Sequence, residues 1–516
     1  ASFNQFHDVA AGTAIAAVYL DAQKDYDAIH WAANEATGNA LKELDSHINT
    51  NAHPGVPIIV WNTLNWKRSD VAEVSVQMPQ AEPNGISVLD ADNRPVLMQV
   101  LSKDERTHTY RLLLKLNGVP SVGYTVLHAV SGQRKVASDL KLNGTTMENS
   151  LVRVVLDPKT GCITSLYNKA AKFESIAAGQ CGNMLQAFVD TGTHITQAGV
   201  DTLRIEDAWN IDADYVNHKT DLTMLDSIET IERGPLREVI RITRHWSKSR
   251  FVQDITLYAG LPRVDVVNDI DWHETHVLLK ASFPLAASSP VATYEIPYGT
   301  IERPTTRNNS IEDAKFEVPA LRWADLGDGR HGFSLMNDSK YGYDAKDNVL
   351  RLSLLRAPTY PDPTADRGRQ QFSYSLYPHA GSWKQAETEL RAYEFNYKLR
   401  ASQAESHQGG LPATHSFVQV KPNNLVLTAL KKSEDGNSLI LRFYEWAGEK
   451  TKATISVPAG ASEAVETDLM EHDLKGAGAR LALHDGQVGV EVEPFSINTV
   501  RIGYNVRGDG FWGAQR

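Results

Sequence analysis

Ile58-Ile59-Val60-Trp61-Asn62 and Val71-Ala72-Glu73-Val74-Ser75-Val76 decide the fold class of this chain, because both are short apolar and β-branched runs bounded by polar breaks. The second run alternates apolar and polar residues, which is the period of a half-buried strand. Residues 488–492 repeat the alternation, with valine at every second position. The run Asp157-Pro158-Lys159-Thr160-Gly161 is typical of a hairpin turn. We therefore predict a mainly β protein built from antiparallel β-sandwiches.

The first fifty residues follow a helical pattern instead. Apolar residues recur there at steps of three and four, as on one face of an amphipathic helix: Ile15, Val18, Tyr19, Ala22, Tyr26, Ile29 and Ala33. Gly38 interrupts this stripe, and Leu41, Leu44 and Ile48 resume it before a turn at residues 53–55. We predict two short helices, part of a helical bundle, that need a further helix or domain to bury their apolar face.

Composition excludes several classes of protein. The 516 residues correspond to about three domains, and 42% hydrophobic with 22% charged residues is ordinary for a globular chain. A net charge of −11 disfavours nucleic acid and anionic membranes as partners. No apolar stretch is long enough to span a bilayer. Cys162 and Cys181 can form at most one disulfide, and so few cysteines favour a cytoplasmic location.

Polar breaks divide the chain into four predicted domains. The linkers lie near residues 131–143 and 402–412, the second ending in Gly409-Gly410-Leu411-Pro412. The predicted domains are a helical segment at 1–54, a small β domain at 55–135, a large β-sandwich at 136–402 and a C-terminal β-sandwich at 403–516.

Asn4-Gln5-Phe6-His7-Asp8 is the most informative segment for chemistry. An imidazole can bind a metal, and a neighbouring carboxylate can accept hydrogen bonds from a sugar hydroxyl. A catalytic zinc site needs at least three protein ligands, and this segment supplies one histidine. From these residues alone, a hydrogen-bonded structural histidine is the more ordinary interpretation.

Other polar motifs carry weaker signals. His273 and His276 are three residues apart between two predicted strands, and therefore lack the helical spacing of a zinc pair. The loop containing Asp338 and Tyr341, with Arg356 ending a following strand, has the residue types of sugar sites. From the residues alone, a solvated hairpin with Arg356 in a surface ion pair is the favoured interpretation. The carboxylates within residues 362–369 have no fixed separation and do not define a glycosidase pair.

Several segments, in order along nearly the whole chain, resemble the C-terminal half of the α-mannosidases of glycoside hydrolase family 38, of the bacterial and fungal cytosolic or vacuolar type. Besides residues 4–8, the matching segments are Val60-Trp61-Asn62-Thr63-Leu64-Asn65-Trp66, Asp157-Pro158-Lys159-Thr160-Gly161, Asp207-Ala208-Trp209-Asn210-Ile211-Asp212, Asp271-Trp272-His273-Glu274, Tyr294-Glu295-Ile296-Pro297-Tyr298-Gly299, Asn337-Asp338-Ser339-Lys340-Tyr341-Gly342-Tyr343-Asp344 and Tyr377-Pro378-His379. Ala10-Ala11 departs from the apolar-proline step that the family usually has after His-Asp.

The resemblance implies a retaining, zinc-dependent α-mannosidase about twice as long, acting on terminal mannose of oligosaccharides. An N-terminal α/β barrel would carry the nucleophile, the acid/base and three zinc ligands, and would be the partner of this chain. His7 would be the fourth ligand of Zn²⁺ and Asp8 would bind mannose hydroxyls, with Arg356, Asp338 and Tyr341 as further substrate-binding candidates. The large sandwich would be galactose-mutarotase-like.

Three points stay open at the level of sequence. The alternative function is a non-catalytic carbohydrate-binding or scaffold β-sandwich module. Self-association into a homo-oligomer is undetermined, and a fungal source would make a vacuolar location an alternative to the cytoplasm. No residue of this chain is predicted to be the nucleophile or the acid/base.

Overall fold

The computed structural model describes residues 2–191, 194–197, 200–203, 207–212, 214–476 and 479–504. The chain forms two compact units: the first comprises residues 1–44, 138–294 and 302–396, and the second comprises 45–137, 295–301 and 397–516. Strands dominate both units, which confirms the prediction of a mainly β protein with a short N-terminal helical segment. The four domain limits expected from the sequence stay a prediction.

The N-terminal segment forms one long helix after two short helical segments. The helices are Phe3–Gln5 (3₁₀), His7–Ala10, Ala16–Ser46, Tyr215–Asn217 (3₁₀), Ser310–Asp313 and Thr388–Asn396. Ala16–Ser46 runs through Gly38, so the prediction of two helices is wrong. A single glycine costs a helix only about 1 kcal/mol, which 31 residues of helix can absorb. None of the helices in the described ranges is long and apolar enough to cross a membrane.

The long helix buries little of its apolar face. Ala22 is its one buried residue, whereas the side chains of Leu20 and Trp31 are each 68% exposed. Leu20 and Trp31 lie outside the predicted stripe, so the prediction that the stripe needs another helix or domain stays a prediction.

The first unit is built around two large antiparallel sheets that share one apolar core. In spatial order, the nine-stranded sheet comprises Ser227–Arg233, Arg237–Trp246, Ser249–Tyr258, Val264–Trp272, Gly368–Ala380, His331–Asn337, Trp323–Gly327, Val291–Ile296 and Gly299–Pro304. The six-stranded sheet comprises Lys219–Asp221, Met184–Val189, Val277–Pro284, Val349–Leu355, Gly342–Lys346 and Val318–Pro319.

Two smaller sheets complete the first unit. One is five-stranded, with Phe173–Glu174, Ile163–Asn168, Val152–Leu156, Thr146–Glu148 and Lys141–Asn143, and the other pairs His194–Gln197 with Val200–Leu203. The predicted turn at residues 157–161 joins two antiparallel strands, as expected. Gly161 has φ +70°, and a Cβ there would meet Ile242 Cγ2 at 2.9 Å, so the turn requires glycine. Next to this turn, Cys162 forms a disulfide with Cys181.

The second unit contains two smaller sandwiches, each with its own core. In the first, a five-stranded sheet (Arg400–Gln403, Val56–Asn62, Gly123–Ser131, Ile86–Leu89 and Thr414–Ser416) accompanies a three-stranded one (Arg68–Gln77, Thr109–Val119 and Met98–Asp104). The second has two four-stranded sheets: Gln419–Lys421, Thr451–Ser456, Gln487–Val492 and Leu483–His484, and Leu425–Lys432, Ser438–Glu445, Ile497–Tyr504 and Ala461–Thr467. The strands predicted from residues 58–62, 71–76 and 488–492 are all present.

Glu238 is a buried acid in the nine-stranded sheet, and it makes stability depend on pH. Its side chain is 3% exposed and its Oε2 has no hydrogen-bond partner among the described residues. Burial raises the pKa of Glu238 to about 7, and Arg233 opposes that shift. The folded chain therefore binds this proton more tightly than the unfolded chain does, so stability is lost as the pH rises from about 4.5 to about 7.

We predict that Glu238→Gln stabilises the chain above pH 7, by up to about 3 kcal/mol, because the amide needs no ionisation. The difference from wild type should shrink as the pH falls towards 4.5. Urea unfolding across this pH range measures it, with the exposed Glu229→Gln as the control. A difference in the free energy of unfolding that does not vary with pH would contradict the raised pKa of Glu238.

Candidate functional site

The His7–Asp8 pair lies at the start of the helix His7–Ala10. The His7 side chain is 78% exposed, and its Nε2 lies 3.3 Å from Asp8 Oδ2. Thr13 holds Asp8 from both sides, since its hydroxyl donates to Asp8 Oδ1 at 3.0 Å and its backbone N–H donates to the Asp8 carbonyl at 2.9 Å. The carboxylate is therefore fixed in place, while the imidazole remains accessible to a ligand.

Tyr19 connects this pair to a loop of the large sandwich. Its hydroxyl donates to the Asp8 carbonyl at 3.3 Å and accepts the Ala14 N–H at 2.9 Å. Burial raises the pKa of Tyr19, and the charges of Asp362, Asp8 and Asp366 raise it further. Three carboxylates from two segments thus act on one hydroxyl. The surroundings of the Tyr19 hydroxyl are therefore acidic.

The loop that carries Asp362 and Asp366 is held by those two carboxylates. Asp366 Oδ2 accepts the backbone N–H groups of Arg356 and Ala357, each at 3.0 Å. Asp362 Oδ1 accepts both the N–H and the hydroxyl of Thr364 at 2.8 Å. Both acids therefore fix the conformation of the loop.

Asp207 is a buried carboxylate that fixes the same loop. Its Oδ2 accepts the Thr359 N–H at 2.6 Å, and its Oδ1 accepts the Tyr360 N–H at 2.9 Å. His276 Nε2 lies 3.0 Å from Asp207 Oδ2 and 2.7 Å from the Thr359 hydroxyl. His273 Nε2 instead lies 2.9 Å from Asp271 Oδ1, so the two histidines have different carboxylate partners.

Arg356 forms hydrogen bonds within the same region. Its Nε donates to Asp190 Oδ2 at 2.6 Å, and its Nη2 donates to the Asn210 carbonyl. Among the described residues, no hydrogen bond or ion pair joins Arg356 to His7 or Asp8. Its predicted role in substrate binding stays a prediction, and its visible role is to tie the segment at 207–212 to the loop.

Asp338 and Tyr341 lie in an exposed loop between the strands His331–Asn337 and Gly342–Lys346. Asp338 Oδ2 accepts the Ser373 N–H at 2.9 Å, and Tyr341 is exposed without contacting His7 in the described structure. Asp338 also lines a cavity of about 500 Å³ on the nine-stranded sheet. Lys340 lies close enough to Asp338 and Asp366 to interact with both charges. The predicted roles of Asp338 and Tyr341 in substrate binding also stay predictions.

The donors at His7 and Asp8 fit part of a zinc shell. The exposed imidazole can donate a lone pair, and the adjacent carboxylate can support it. Within the described ranges, no group of three or more His, Cys, Asp or Glu residues could hold a metal ion. A zinc site at His7 would therefore need ligands from outside these residues.

Sequence reasoning did not single out Tyr19, Asp207 or His276 as parts of this region. Tyr19 fitted the helical stripe, and Asp207 was noted only within a family-like segment. Its partner Thr359 lies 152 residues away in sequence, so no local pattern could have linked them.

The fold and the site define the class of this chain as a β-sandwich protein that carries an accessible histidine beside a hydrogen-bonded carboxylate. Residues 147–364 match the family model described as the glycosyl hydrolases family 38 C-terminal domain, and residues 424–500 match that family's C-terminal beta sandwich domain. The chain belongs to glycosyl hydrolase family 38.

Curated relatives match almost the whole chain. It is 33% identical to alpha-mannosidase 2C1 of Mus musculus over 511 residues, covering 96% of this chain and 44% of the relative. The Homo sapiens protein of that name is 33% identical over 508 residues, with the same coverage. The alpha-mannosidase of Saccharomyces cerevisiae is 26% identical over 422 residues, covering 72% of this chain and 37% of the relative. The chain thus spans less than half the length of these relatives.

Two solved structures share the fold. A glycosyl hydrolase family 38 protein from Enterococcus faecalis has a TM-score of 0.77 at 15% identity, covering 96% of this chain and 64% of that one. An alpha-mannosidase from Enterococcus faecalis V583 has a TM-score of 0.72 at 15% identity, covering 93% and 59%.

Proposed function

We propose that this chain is the C-terminal part of a retaining, zinc-dependent α-mannosidase that hydrolyses terminal α-D-mannosyl residues of oligosaccharides. The observation that carries the proposal is the fixed Asp8 beside the accessible His7, in a chain 33% identical to alpha-mannosidase 2C1 over 96% of its length. A retaining hydrolase needs two carboxyl groups about 5 Å apart, and we assign both to an N-terminal barrel.

In this proposal His7 is a zinc ligand and Asp8 binds mannose hydroxyls. Zinc would supply a Lewis acid towards the sugar hydroxyls. Asp8 would accept hydrogen bonds from those hydroxyls, and Thr13 and Tyr19 would hold it in position. Arg356, Asp338 and Tyr341 remain candidates for binding the rest of the substrate.

The proposed partner of this chain is its own N-terminal barrel. The exposed Leu20 and Trp31 of the long helix support a further packing partner, since large apolar side chains are costly to leave in water. We also propose a cytoplasmic location, or a vacuolar one if the source is fungal.

A turnover measurement tests the proposal. We expect the chain alone to hold far less than one zinc and to leave an aryl α-mannoside intact, and to gain both zinc and activity when combined with the N-terminal barrel. Turnover and one tightly held zinc in the chain alone would contradict the proposal that the catalytic carboxyl groups belong to an N-terminal barrel. Sugar binding without turnover, even with the barrel, would favour the alternative of a non-catalytic carbohydrate-binding module.

A further inference from the structure

Trp209 and Tyr360 form an exposed aromatic pair in the first unit. Each side chain is 51% exposed, and their ring centroids lie 6.2 Å apart at an interplanar angle of 43°. Two large aromatic rings side by side in water bury little apolar area against the protein. Such a pair is more informative than a single exposed ring, because it offers a ligand a broad apolar surface.

Asp207 fixes the backbone beside both rings. This carboxylate is 2% exposed and accepts the N–H groups of Thr359 and Tyr360 at 2.6 and 2.9 Å. One side chain therefore joins the segment that carries Trp209 to the loop that carries Tyr360. The bonds leave little freedom for either backbone, so the rings are held near each other before any ligand arrives.

Arg356 makes a second connection on the other side of Trp209. Its guanidinium donates to the Asn210 carbonyl and to Asp190 Oδ2, and Asp190 Oδ1 accepts the Asp212 N–H at 2.8 Å. Trp209 thus lies between two anchored positions of the segment at 207–212. Polar groups carry the anchoring, while the aromatic rings remain open to solvent.

Tyr360 of the aromatic pair shares its loop with Asp362. Asp362 follows Tyr360 by two residues, and its charge acts on the same Tyr19 hydroxyl as the charge of Asp8.

We propose that Trp209 and Tyr360 form a stacking platform for a second hexose of a mannose oligosaccharide. The apolar face of a pyranose ring packs on aromatic faces, while its hydroxyl edge meets water or carboxylates. The position of the first mannose at Asp8 rests on the proposed function, whereas the platform itself rests on the aromatic pair and its anchors. The substrate class is therefore an oligosaccharide of at least two residues.

Binding of mannotriose to the 516-residue chain tests the platform. Saturation-transfer NMR should detect contact between the sugar and aromatic protons, and Trp209→Ala and Tyr360→Ala should each weaken binding about tenfold, or about 1.4 kcal/mol. Tyr360→Phe should retain binding, because the ring rather than the hydroxyl carries the contact. Trp31→Ala is the matched control, since it removes an exposed tryptophan of the long helix. Sorbitol, which has hydroxyls but no ring, should give no transfer.

Wild-type levels of mannotriose binding in both alanine variants, or no saturation transfer from the wild-type chain to mannotriose, would overturn the platform. Matching thermal unfolding curves of the variants and wild type establish that each variant is folded. The measurement needs no turnover. Failure of mannotriose binding would therefore contradict the platform and not the proposed mannosidase activity. Failure of turnover with the barrel would contradict the proposed activity and not the platform.

Discussion

Replacing Lys280 with methionine should lower the free energy of unfolding by about 3–5 kcal/mol, because it leaves buried carboxylates without their cation. The Lys280 side chain is 0% exposed in the six-stranded sheet. Its Nζ donates to Asp344 Oδ2 at 2.6 Å, to the Tyr215 hydroxyl at 3.1 Å and to Glu317 Oε2. Methionine keeps most of the side-chain volume, so the loss reports on charge rather than on a cavity.

The electrostatics of this cluster explain the size of the effect. Burial opposes the charged form of Lys280, but Asp344 and Glu317 outweigh it and raise the pKa of the lysine. Burial raises the pKa of Glu317. Arg351 also donates to Asp344 Oδ1 at 2.7 Å, so Asp344 keeps one cation in the variant, whereas Glu317 loses its own. The deficit should therefore shrink at low pH, where Glu317 can take up a proton.

Urea unfolding of Lys280→Met at neutral and acidic pH measures both effects. Lys219→Met is the matched control, because Lys219 lies in the same sheet and forms a half-exposed pair with Asp221 at 3.2 Å. Such surface pairs contribute about 1 kcal/mol or less. Adding Glu317→Gln to Lys280→Met should restore part of the lost stability. Equal stability of Lys280→Met and Lys219→Met would show that the buried cluster contributes little.

Local patterns predicted the strands well, and the reason is physical. Alternating burial makes a strand visible in sequence, as in Gln487–Val492, whose valines are buried while the residues between them are exposed. The same reasoning failed at Gly38, because one unfavourable residue does not end a helix that its neighbours support. Periodicity predicts which side chains are buried, and it predicts the ends of helices and strands less well.

The sequence did not predict which polar side chains form clusters in the folded chain. Lys280 lies in the strand Val277–Pro284, but its partners Glu317 and Asp344 lie 37 and 64 residues further along the chain. Sheet order brings them together, and sheet order is not a local property. His7 and Asp8 were found because they are adjacent in sequence and resemble a family motif. Asp207 and Tyr360 were not connected, because their contact exists only in the folded chain.

His7→Ala should lower the turnover of an aryl α-mannoside at least about a hundredfold in the chain combined with the proposed N-terminal barrel, and should lower its zinc content in parallel. The reason is that the exposed imidazole contacts its neighbours in sequence, with Nε2 3.3 Å from Asp8 Oδ2 and its ring centroid 4.4 Å from that of Phe6, and therefore contributes little to the fold. Its removal should therefore cost metal affinity and leave the fold intact. Zinc analysis and kinetics on the same sample measure both quantities.

The control for this prediction is His30→Ala, which removes an exposed histidine of the helix Ala16–Ser46 and should leave zinc and turnover unchanged. Asp8→Asn separates the two proposed roles. It keeps the hydrogen bond that an amide oxygen can accept from Thr13, but it weakens the hydrogen bonds that position 8 accepts from sugar hydroxyls. We expect Asp8→Asn to lose turnover while keeping more zinc than His7→Ala. Full zinc and full turnover in His7→Ala would show that the metal ligands lie elsewhere, and full turnover in Asp8→Asn would remove Asp8 from the sugar site.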